Sequence, residues 1–144
     1  MIAIGCDHAG FPLKEALAAH LYARGISYTD LGCDGSPCDY PDIAEAVCKE
    51  VLNGNCTCGI LLCGTGIGMS MAANKIKGIR AAVCSDAFST KFTRLHNDTN
   101  ILCLGARVIG SGLAMELVDI FLNTEFEGGR HQRRVDMIMA LEEK

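Results

Sequence analysis

The fold of this chain is decided by the stretch Ile60-Leu61-Leu62-Cys63-Gly64-Thr65-Gly66-Ile67-Gly68-Met69. Apolar residues over 59–62 predict a fully buried strand, and the pattern over 67–75 predicts the helix that follows it. Cys63 is therefore expected at the carboxyl end of the strand. There the free N–H groups and the positive end of the helix dipole favour a thiolate, which can act as a base or a nucleophile. The same N–H groups favour an oxyanion or a phosphate, so the stretch predicts an anion-binding catalytic loop beside Cys63.

Two other interpretations of the glycines in this loop stay open. A helix that starts directly after a strand commonly needs glycine for the turn alone. Gly64-x-Gly66 also begins a dinucleotide-binding fingerprint, and Asp86 lies about where that motif expects an acid that binds ribose. The third glycine of the fingerprint is missing, because its position is Met69 and Gly68 comes one residue early.

Strand-like and helix-like segments alternate along the whole chain. The predicted strands are 1–6, 26–31, 58–62, 79–84 and 100–104. The predicted helices are 12–24, 41–52, 67–75, 87–95, 112–122 and 130–143. This alternation predicts an α/β fold in which residues 1–144 form one domain, with a parallel sheet covered by helices on both faces. Ligands of such sheets bind at the carboxyl ends of the strands, where the strand order reverses.

Composition limits the classes of partner. The chain has 144 residues, of which 49% are hydrophobic and 21% charged, and its net charge is −4. An acidic balance with no basic run argues against nucleic acid and anionic membrane as partners. The first residues lack the basic and long apolar regions of a signal peptide, and no apolar run reaches the length of a membrane span. We therefore expect a cytoplasmic protein.

Nine cysteines are present, an odd number. In the reducing cytoplasm they are expected to be free thiols, most of them small buried hydrophobes. Cys56-x-Cys58 has no second pair of ligands at metal-binding spacing, so no metal site is expected. Cys63 differs from the other cysteines in its sequence neighbours, which are the apolar strand before it and the glycine-rich turn after it.

Polar residues follow several predicted strands and are expected to meet at one edge of the sheet. Asp7-His8 follows the first strand, Cys63-Gly64-Thr65-Gly66 the third and Gly105-Ala106-Arg107 the fifth, and the helix after the fourth strand ends in His96-Asn97-Asp98. Each has a structural alternative, such as a loop histidine or a helix cap. Their recurrence at one edge favours a binding site there.

A basic cluster, Arg130-His131-Gln132-Arg133-Arg134, follows Gly128-Gly129. Arg130 and Arg134 are one helical turn apart and share a face, a spacing that suits two planar donors clasping one phosphate. The alternative is a solvated basic face. Arginines at a helix amino terminus oppose the helix dipole, however, so the arrangement favours a bound anion.

The chain resembles the type B ribose-5-phosphate isomerases and the related galactose-6-phosphate isomerase subunits. The matching segments span nearly the whole chain in order. They are 5–11 (Gly-Cys-Asp-His-Ala-Gly-Phe), 39–41 (Asp-Tyr-Pro), 63–68 (Cys-Gly-Thr-Gly-Ile-Gly), 72–75 (Ala-Ala-Asn-Lys), 78–81 (Gly-Ile-Arg-Ala), 96–100 (His-Asn-Asp-Thr-Asn), 105–108 (Gly-Ala-Arg-Val) and 127–131 (Glu-Gly-Gly-Arg-His).

This resemblance implies a three-layer Rossmann-like domain with a five-stranded parallel sheet. It implies a homodimer, or a tetramer built from dimers, in which two subunits share each active site and the helix at about 130–143 packs on the partner. It also implies aldose-ketose isomerisation of a sugar phosphate through an enediolate, with no metal, nucleotide or other cofactor.

The resemblance also implies roles for individual residues. Cys63 is the base that moves a proton between C2 and C1, and His96 opens the furanose ring with Thr65 nearby. The backbone amides of the loop at Gly64, Gly66 and Gly68 hold the enediolate oxygens. The sugar hydroxyls are positioned by Asp7, Tyr40 and Asn97, and the phosphate is held by His8, Arg107 and, from the partner chain, Arg130 and Arg134. A branch of the family uses a glutamate in the loop instead of the cysteine. This chain has Met69 at that position, which places it in the cysteine branch.

Two alternatives remain open at this point. A six-carbon substrate, such as allose or galactose 6-phosphate, requires the same chemistry in a longer pocket. A non-catalytic module that binds a phosphosugar or a nucleotide would bind its ligand without exchanging the C2 proton with solvent.

Overall fold

The computed structural model describes residues 1–144. Its strands are β1 (Ile2–Cys6), β2 (Tyr28–Asp30), β3 (Gly59–Cys63), β4 (Ala81–Val83) and β5 (Ile101–Gly105). Its helices are α1 (Phe11–Ala23), α2 (Tyr40–Leu52), α3 (Ile67–Ala73), α4 (Ala87–Asn97), α5 (Ser111–Asn123) and α6 (Arg130–Ala140), with a final 3₁₀ turn at Leu141–Glu143. All strand pairs are parallel, and the sheet order is β2-β1-β3-β5-β4.

The three inner strands are apolar along their whole length because both faces of the sheet are covered. Every residue of β1, β3 and β5 is buried. The core on one face joins the sheet to α1 and α5, for example at Leu17 and Leu117, and α4 packs beside α5. The core on the other face joins it to α2 and α3, for example at Val47 and Met69. The predicted three-layer α/β fold with a five-stranded parallel sheet is confirmed.

The strand order reverses between β1 and β3. The chain leaves β1 toward β2 on one side, and after α2 it returns to form β3 on the other side of β1. The two strands pair directly, with Cys6 beside Leu62. Crevices at the carboxyl ends of strands form at such points, and the residues after β1 and β3 are Asp7 and Gly64.

The predicted boundaries differ most at the edge strands. The strands predicted at 26–31 and 79–84 are only three residues long in β2 and β4. Each edge strand has only one neighbour, so fewer of its backbone groups are held in the ladder. No helix of this chain is both long and apolar enough to cross a bilayer.

Candidate active site

Cys63 is the last residue of β3, and the chain turns immediately after it. Its side chain is 5% exposed. The Gly66 N–H donates a hydrogen bond to Sγ of Cys63 over 3.1 Å. The sulfur therefore lies inside the turn and faces a backbone donor, as the sequence predicted for the end of this strand.

The turn requires glycine at Gly66, whose φ is +78°. A Cβ at this position would also lie 2.9 Å from the carbonyl carbon of Leu104. The segment after β5 holds the turn from outside, because the Ala106 N–H donates to the Cys63 carbonyl and the Arg107 N–H donates to the Gly64 carbonyl, over 2.8 and 3.0 Å. The turn is therefore rigid around the thiol.

Asp7 lies beside this turn, directly after β1. It is only 8% exposed. Its N–H donates to the Leu62 carbonyl over 3.1 Å, and its carboxylate accepts a hydrogen bond from the Gly10 N–H over 3.0 Å. Gly10 allows this close approach, since a Cβ there would lie 2.7 Å from the Leu62 carbonyl oxygen. The next residue, His8, is exposed to solvent.

Two longer side chains flank the glycine turn. The Tyr40 ring lies against Gly68, where a Cβ would come within 2.8 Å of the ring. The Arg107 guanidinium lies beside Gly64, with Nη1 3.5 Å from the position of a Cβ. Thr65 is exposed, and its hydroxyl accepts a hydrogen bond from the Ile67 N–H over 3.2 Å. The carboxyl-edge group is defined here as these six residues: Asp7, His8, Tyr40, Cys63, Thr65 and Arg107.

His96 and Asn97 are not part of this group, and the expectation that all the polar segments meet at one edge was wrong. α4 starts after the carboxyl end of β4 and carries the chain back across the sheet. Its last residue, Asn97, lies four residues before β5 begins at Ile101. The Asn100 side chain accepts from the Arg80 N–H just before β4, which fixes this segment at the amino end of the strands. A helix that joins two parallel strands must end at the edge opposite to the one where it starts.

His96 contacts residues of α6 and of the turn that precedes it. Its ring stacks on the His131 ring, with centroids 3.9 Å apart and planes at 11°, and it meets the edge of Phe92. The Glu127 carboxylate lies 3.4 Å from Nε2 of His96 and 3.8 Å from Nε2 of His131. Burial, followed by the neighbouring His96 and Arg130, lowers the pKa of His131.

Arg130 and Arg134 lie on α6 at the same edge as His96. Both are exposed, and neither forms an ion pair. The inner face of α6 packs on α4 of its own chain through the buried His131 and Val135. The amino-edge group is defined here as His96, Asn97, Arg130 and Arg134.

Sequence reasoning missed two residues of this edge, Glu127 and His131. Both belong to the segment 127–131 that matches the family. Sequence spacing did not group them with His96, because 31 positions separate Glu127 from His96. The backbone joins the two segments through a hydrogen bond from the Glu127 N–H to the Leu95 carbonyl over 3.0 Å. Only tertiary structure brings the three side chains together.

Asp86 has a local role that removes it from the dinucleotide interpretation. It is the N-cap of α4, and its carboxylate accepts a hydrogen bond from the Ser89 N–H over 2.7 Å. A capping aspartate of this kind satisfies one of the free donors of the first helical turn. The acid that the fingerprint needs for ribose is therefore engaged elsewhere.

Burial raises the pKa of most of the other cysteines. All nine thiols are free. Burial raises the pKa of Cys6 and Cys48 to about 12, and that of Cys38 and Cys58 to about 11. It also raises the pKa at Cys56, Cys84 and Cys103. The raised pKa favours the protonated thiol, so these seven side chains are poorer candidates for a thiolate base.

Comparison with known proteins gives matches over nearly the whole chain. The profile described as ribose/galactose isomerase matches residues 2–138. Ribose-5-phosphate isomerase B of Escherichia coli (strain K12) is 51% identical over 144 residues, covering 99% of this chain and 97% of that protein.

Two solved structures share the whole fold. Ribose-5-phosphate isomerase B of Clostridium thermocellum superposes with a TM-score of 0.97 at 48% identity, covering 99% of this chain and 97% of that one. The Mycoplasma genitalium ribose-5-phosphate isomerase B, solved with bound ribulose 5-phosphate, gives a TM-score of 0.93 at 41% identity, covering 99% of this chain and 96% of that one.

Proposed function

Because the chain belongs to the ribose/galactose isomerase family, we propose that it interconverts D-ribose 5-phosphate and D-ribulose 5-phosphate. The observation that carries the proposal is the thiol of Cys63, buried at the end of β3 with the Gly66 N–H on its sulfur. The similar proteins named above are isomerases of this type, and one of them holds ribulose 5-phosphate.

The proposed reaction moves one proton between neighbouring carbons. The Cys63 thiolate removes the proton from C2 of the open aldose, and the electron pair moves onto the carbonyl oxygen at C1 to give an enediolate. The thiol then returns a proton to C1, while the proton on the C2 hydroxyl transfers to the C1 oxygen and leaves a ketone at C2. No electron enters or leaves the system, so the step requires no redox cofactor.

Two features of the turn suit this chemistry. An N–H donor on the sulfur is the kind of contact that a thiolate accepts. Backbone N–H groups over 64–68 lie on a rigid turn beside that sulfur, where negative charge develops on the enediolate oxygens. In this proposal Thr65 contributes its exposed hydroxyl to the same oxygens.

The proposed active site combines the carboxyl-edge group of one chain with the amino-edge group of another. Within one chain the two groups lie at opposite ends of the strands, so His96 cannot reach a sugar held at Cys63. A two-fold axis places the amino edge of one chain beside the carboxyl edge of the other. This arrangement brings each Cys63 close to the partner's His96. Each dimer then has two complete sites.

The surface between the two groups has the character of an interface. β4 is a free edge, and its Val83 is 41% exposed and lies beside Gly66 of the catalytic turn. Next to it, Phe88 is 72% exposed and stacks on Phe92, one turn before His96. Apolar side chains in a continuous row on an exposed edge favour association. We propose that the homodimer forms here, and that the outer face of α6 also contacts the partner.

The remaining polar residues bind the substrate in this proposal. The sugar hydroxyls are held by Asp7, Tyr40 and Asn97, and the phosphate by His8, Arg107, Arg130 and Arg134. Four basic side chains from two chains meet a dianion far from the reacting carbons. Binding energy at the phosphate can thus hold the open sugar in a reactive geometry. The enzyme is proposed to work in the cytoplasm, where its essential thiol stays reduced.

The substrate is tested by comparing kcat/KM for ribose 5-phosphate, allose 6-phosphate and galactose 6-phosphate under identical conditions. The proposal predicts the highest value for the pentose phosphate, and Cys63→Ala protein is the control for background conversion. A higher kcat/KM for either hexose phosphate would replace the pentose with the six-carbon alternative. Ligand binding without conversion of any of the three would favour the non-catalytic module.

A further inference from the structure

We propose that His96, Glu127 and His131 form a binding site for a divalent transition-metal ion of the Zn²⁺ type. Each side chain offers one ligand atom, and the three atoms all lie within 4.8 Å of one another. Two imidazoles and one carboxylate are a ligand set that zinc commonly uses in proteins. Three protein ligands leave the fourth position of a tetrahedral ion open.

The distances are close to those that an ion requires. Ligand atoms on one tetrahedral zinc are about 3.3–3.6 Å apart, given bonds of about 2.0–2.2 Å. Oε2 of Glu127 lies 3.4 Å from Nε2 of His96 and 3.8 Å from Nε2 of His131. The two rings are stacked, so binding requires one of them to tilt. The His96 side chain is 35% exposed and has room to turn, whereas His131 is held inside the fold.

The local charges set the strength of the site. Glu127 is the only carboxylate of the trio, and Arg130 lies next to His131 on α6. The positive charge of Arg130, and of Arg134 one turn later, opposes a cation and favours an anion at the open position. The ion is therefore a reversible ligand of the free enzyme and not a resident structural metal.

One consequence rests on the proposed function. If His96 opens the sugar ring, an ion on its Nε2 withholds that nitrogen and slows conversion of ribose 5-phosphate. Cys63 is not one of the three ligands, so proton exchange of ribulose 5-phosphate is expected to continue. Trace zinc would thus inhibit the proposed isomerase.

The site itself is tested without an activity measurement. Co²⁺ is titrated into the reduced protein and followed by visible absorption and calorimetry. We expect one ion per chain with the absorption of a four-coordinate ion and no near-ultraviolet charge-transfer band from a thiolate ligand. Glu127→Gln and His131→Asn should each weaken binding by at least about tenfold, since each removes one of three ligands. His20→Asn is the matched control, because His20 pairs only with Asp119, over 2.8 Å.

Three results would overturn the proposal. They are no Co²⁺ binding by protein that is fully active, a thiolate band in the bound spectrum, and unchanged binding in both Glu127→Gln and His131→Asn. Zn²⁺ inhibition is then measured on the proton exchange of ribulose 5-phosphate and on ribose 5-phosphate conversion. Binding at the trio without slower conversion would support the metal site and contradict the role of His96 in ring opening. A failure of the metal site can therefore be distinguished from a failure of the proposed function.

Discussion

Cys58 and Cys63 lie at the two ends of the same strand and differ in their surroundings. Cys58 precedes β3, and burial raises its pKa to about 11. Cys63 ends β3, and its sulfur accepts a hydrogen bond from the Gly66 N–H over 3.1 Å. Only the second thiol lies at the edge where parallel sheets bind ligands. The pair therefore offers a matched comparison of a proposed base with a packed thiol.

Cys63→Ala is expected to reduce kcat by about 10²- to 10⁴-fold, the usual loss when a positioned base is removed. The binding of a phosphate-containing inhibitor should change little, because the groups proposed to hold the phosphate are untouched. Isomerase assays and calorimetry measure the two quantities. Cys58→Ala should keep kcat within about twofold of wild type. A folded Cys63→Ala enzyme with wild-type turnover would exclude Cys63 as the base.

His96→Asn should separate ring opening from proton transfer. Ribose 5-phosphate is mainly a closed furanose, whereas ribulose 5-phosphate cannot form that ring because its C5 oxygen carries the phosphate. The variant should therefore convert ribose 5-phosphate at least about tenfold more slowly, in keeping with the loss of an acid-base group. It should still exchange the C1 proton of ribulose 5-phosphate with deuterated water.

Proton NMR in deuterated buffer follows this exchange directly. His20→Asn is the control for loss of an unrelated histidine. Cys63→Ala should lose both exchange and conversion. If His96→Asn lost the exchange as severely as the conversion while remaining dimeric, His96 would act on the enediolate and not on the ring.

Among the residues of the site, those fixed by local sequence were predictable and those fixed by tertiary contacts were not. The end of a buried strand and the glycine turn placed Cys63 correctly. Glu127 and His131 contact His96 only because two distant segments pack together. Asp86 was assigned a possible ligand-binding role from its distance along the chain, but the first turn of α4 uses its carboxylate as a cap.

At the scale of elements, β4 and α4 connect the two halves of the proposed site. β4 presents Val83 beside the glycine turn at Gly66, and α4 runs from there to His96 at the opposite edge. Phe88 is a large apolar side chain, and 72% of it is exposed in the single chain. Packing within one chain does not explain this exposure. The face is explained if a second copy covers it.

Phe88→Asp is expected to dissociate the proposed dimer and abolish turnover while leaving the fold intact. An unpaired charge in a buried interface costs about 3–5 kcal/mol, which corresponds to a more than hundredfold weaker dimer. Sedimentation and isomerase assays measure the two effects. Tyr22→Asp is the matched control, because Tyr22 is 81% exposed on α1, away from β4. An active Phe88→Asp monomer would show that one chain forms a complete site.

The order and type of the elements followed from periodicity, since long amphipathic helices and apolar inner strands have strong patterns. The three-residue edge strands were overestimated, because their ends depend on pairing with one neighbour. The position of His96 was misjudged for a different reason. α4 lies at the predicted place in the chain, but a helix that starts at the carboxyl edge of a parallel sheet ends at the amino edge, so His96 lies away from Cys63.

At the scale of the whole molecule, the proposal depends on a two-fold assembly. The parallel sheet places the carboxyl-edge and amino-edge groups at opposite ends of each chain, and two chains related by a dyad bring unlike groups together. A defect in the carboxyl-edge group of one chain and a defect in the amino-edge group of the other then fall in the same site. The second site of that dimer has neither defect.

The most direct test mixes Cys63→Ala chains with His96→Asn chains after subunit exchange, each variant alone being defective in ribose 5-phosphate conversion. Random pairing of equal amounts makes half of the dimers mixed, and each mixed dimer has one intact site of two. About a quarter of all sites are then intact, so about a quarter of the wild-type rate per chain is expected. Mixing Cys63→Ala with Arg107→Ala is the control, because both defects lie in the carboxyl-edge group and every site keeps one of them. Recovery in the first mixture and none in the control is the predicted result. No recovery in the first mixture, with exchange proven by mass spectrometry, would contradict a site shared between two chains.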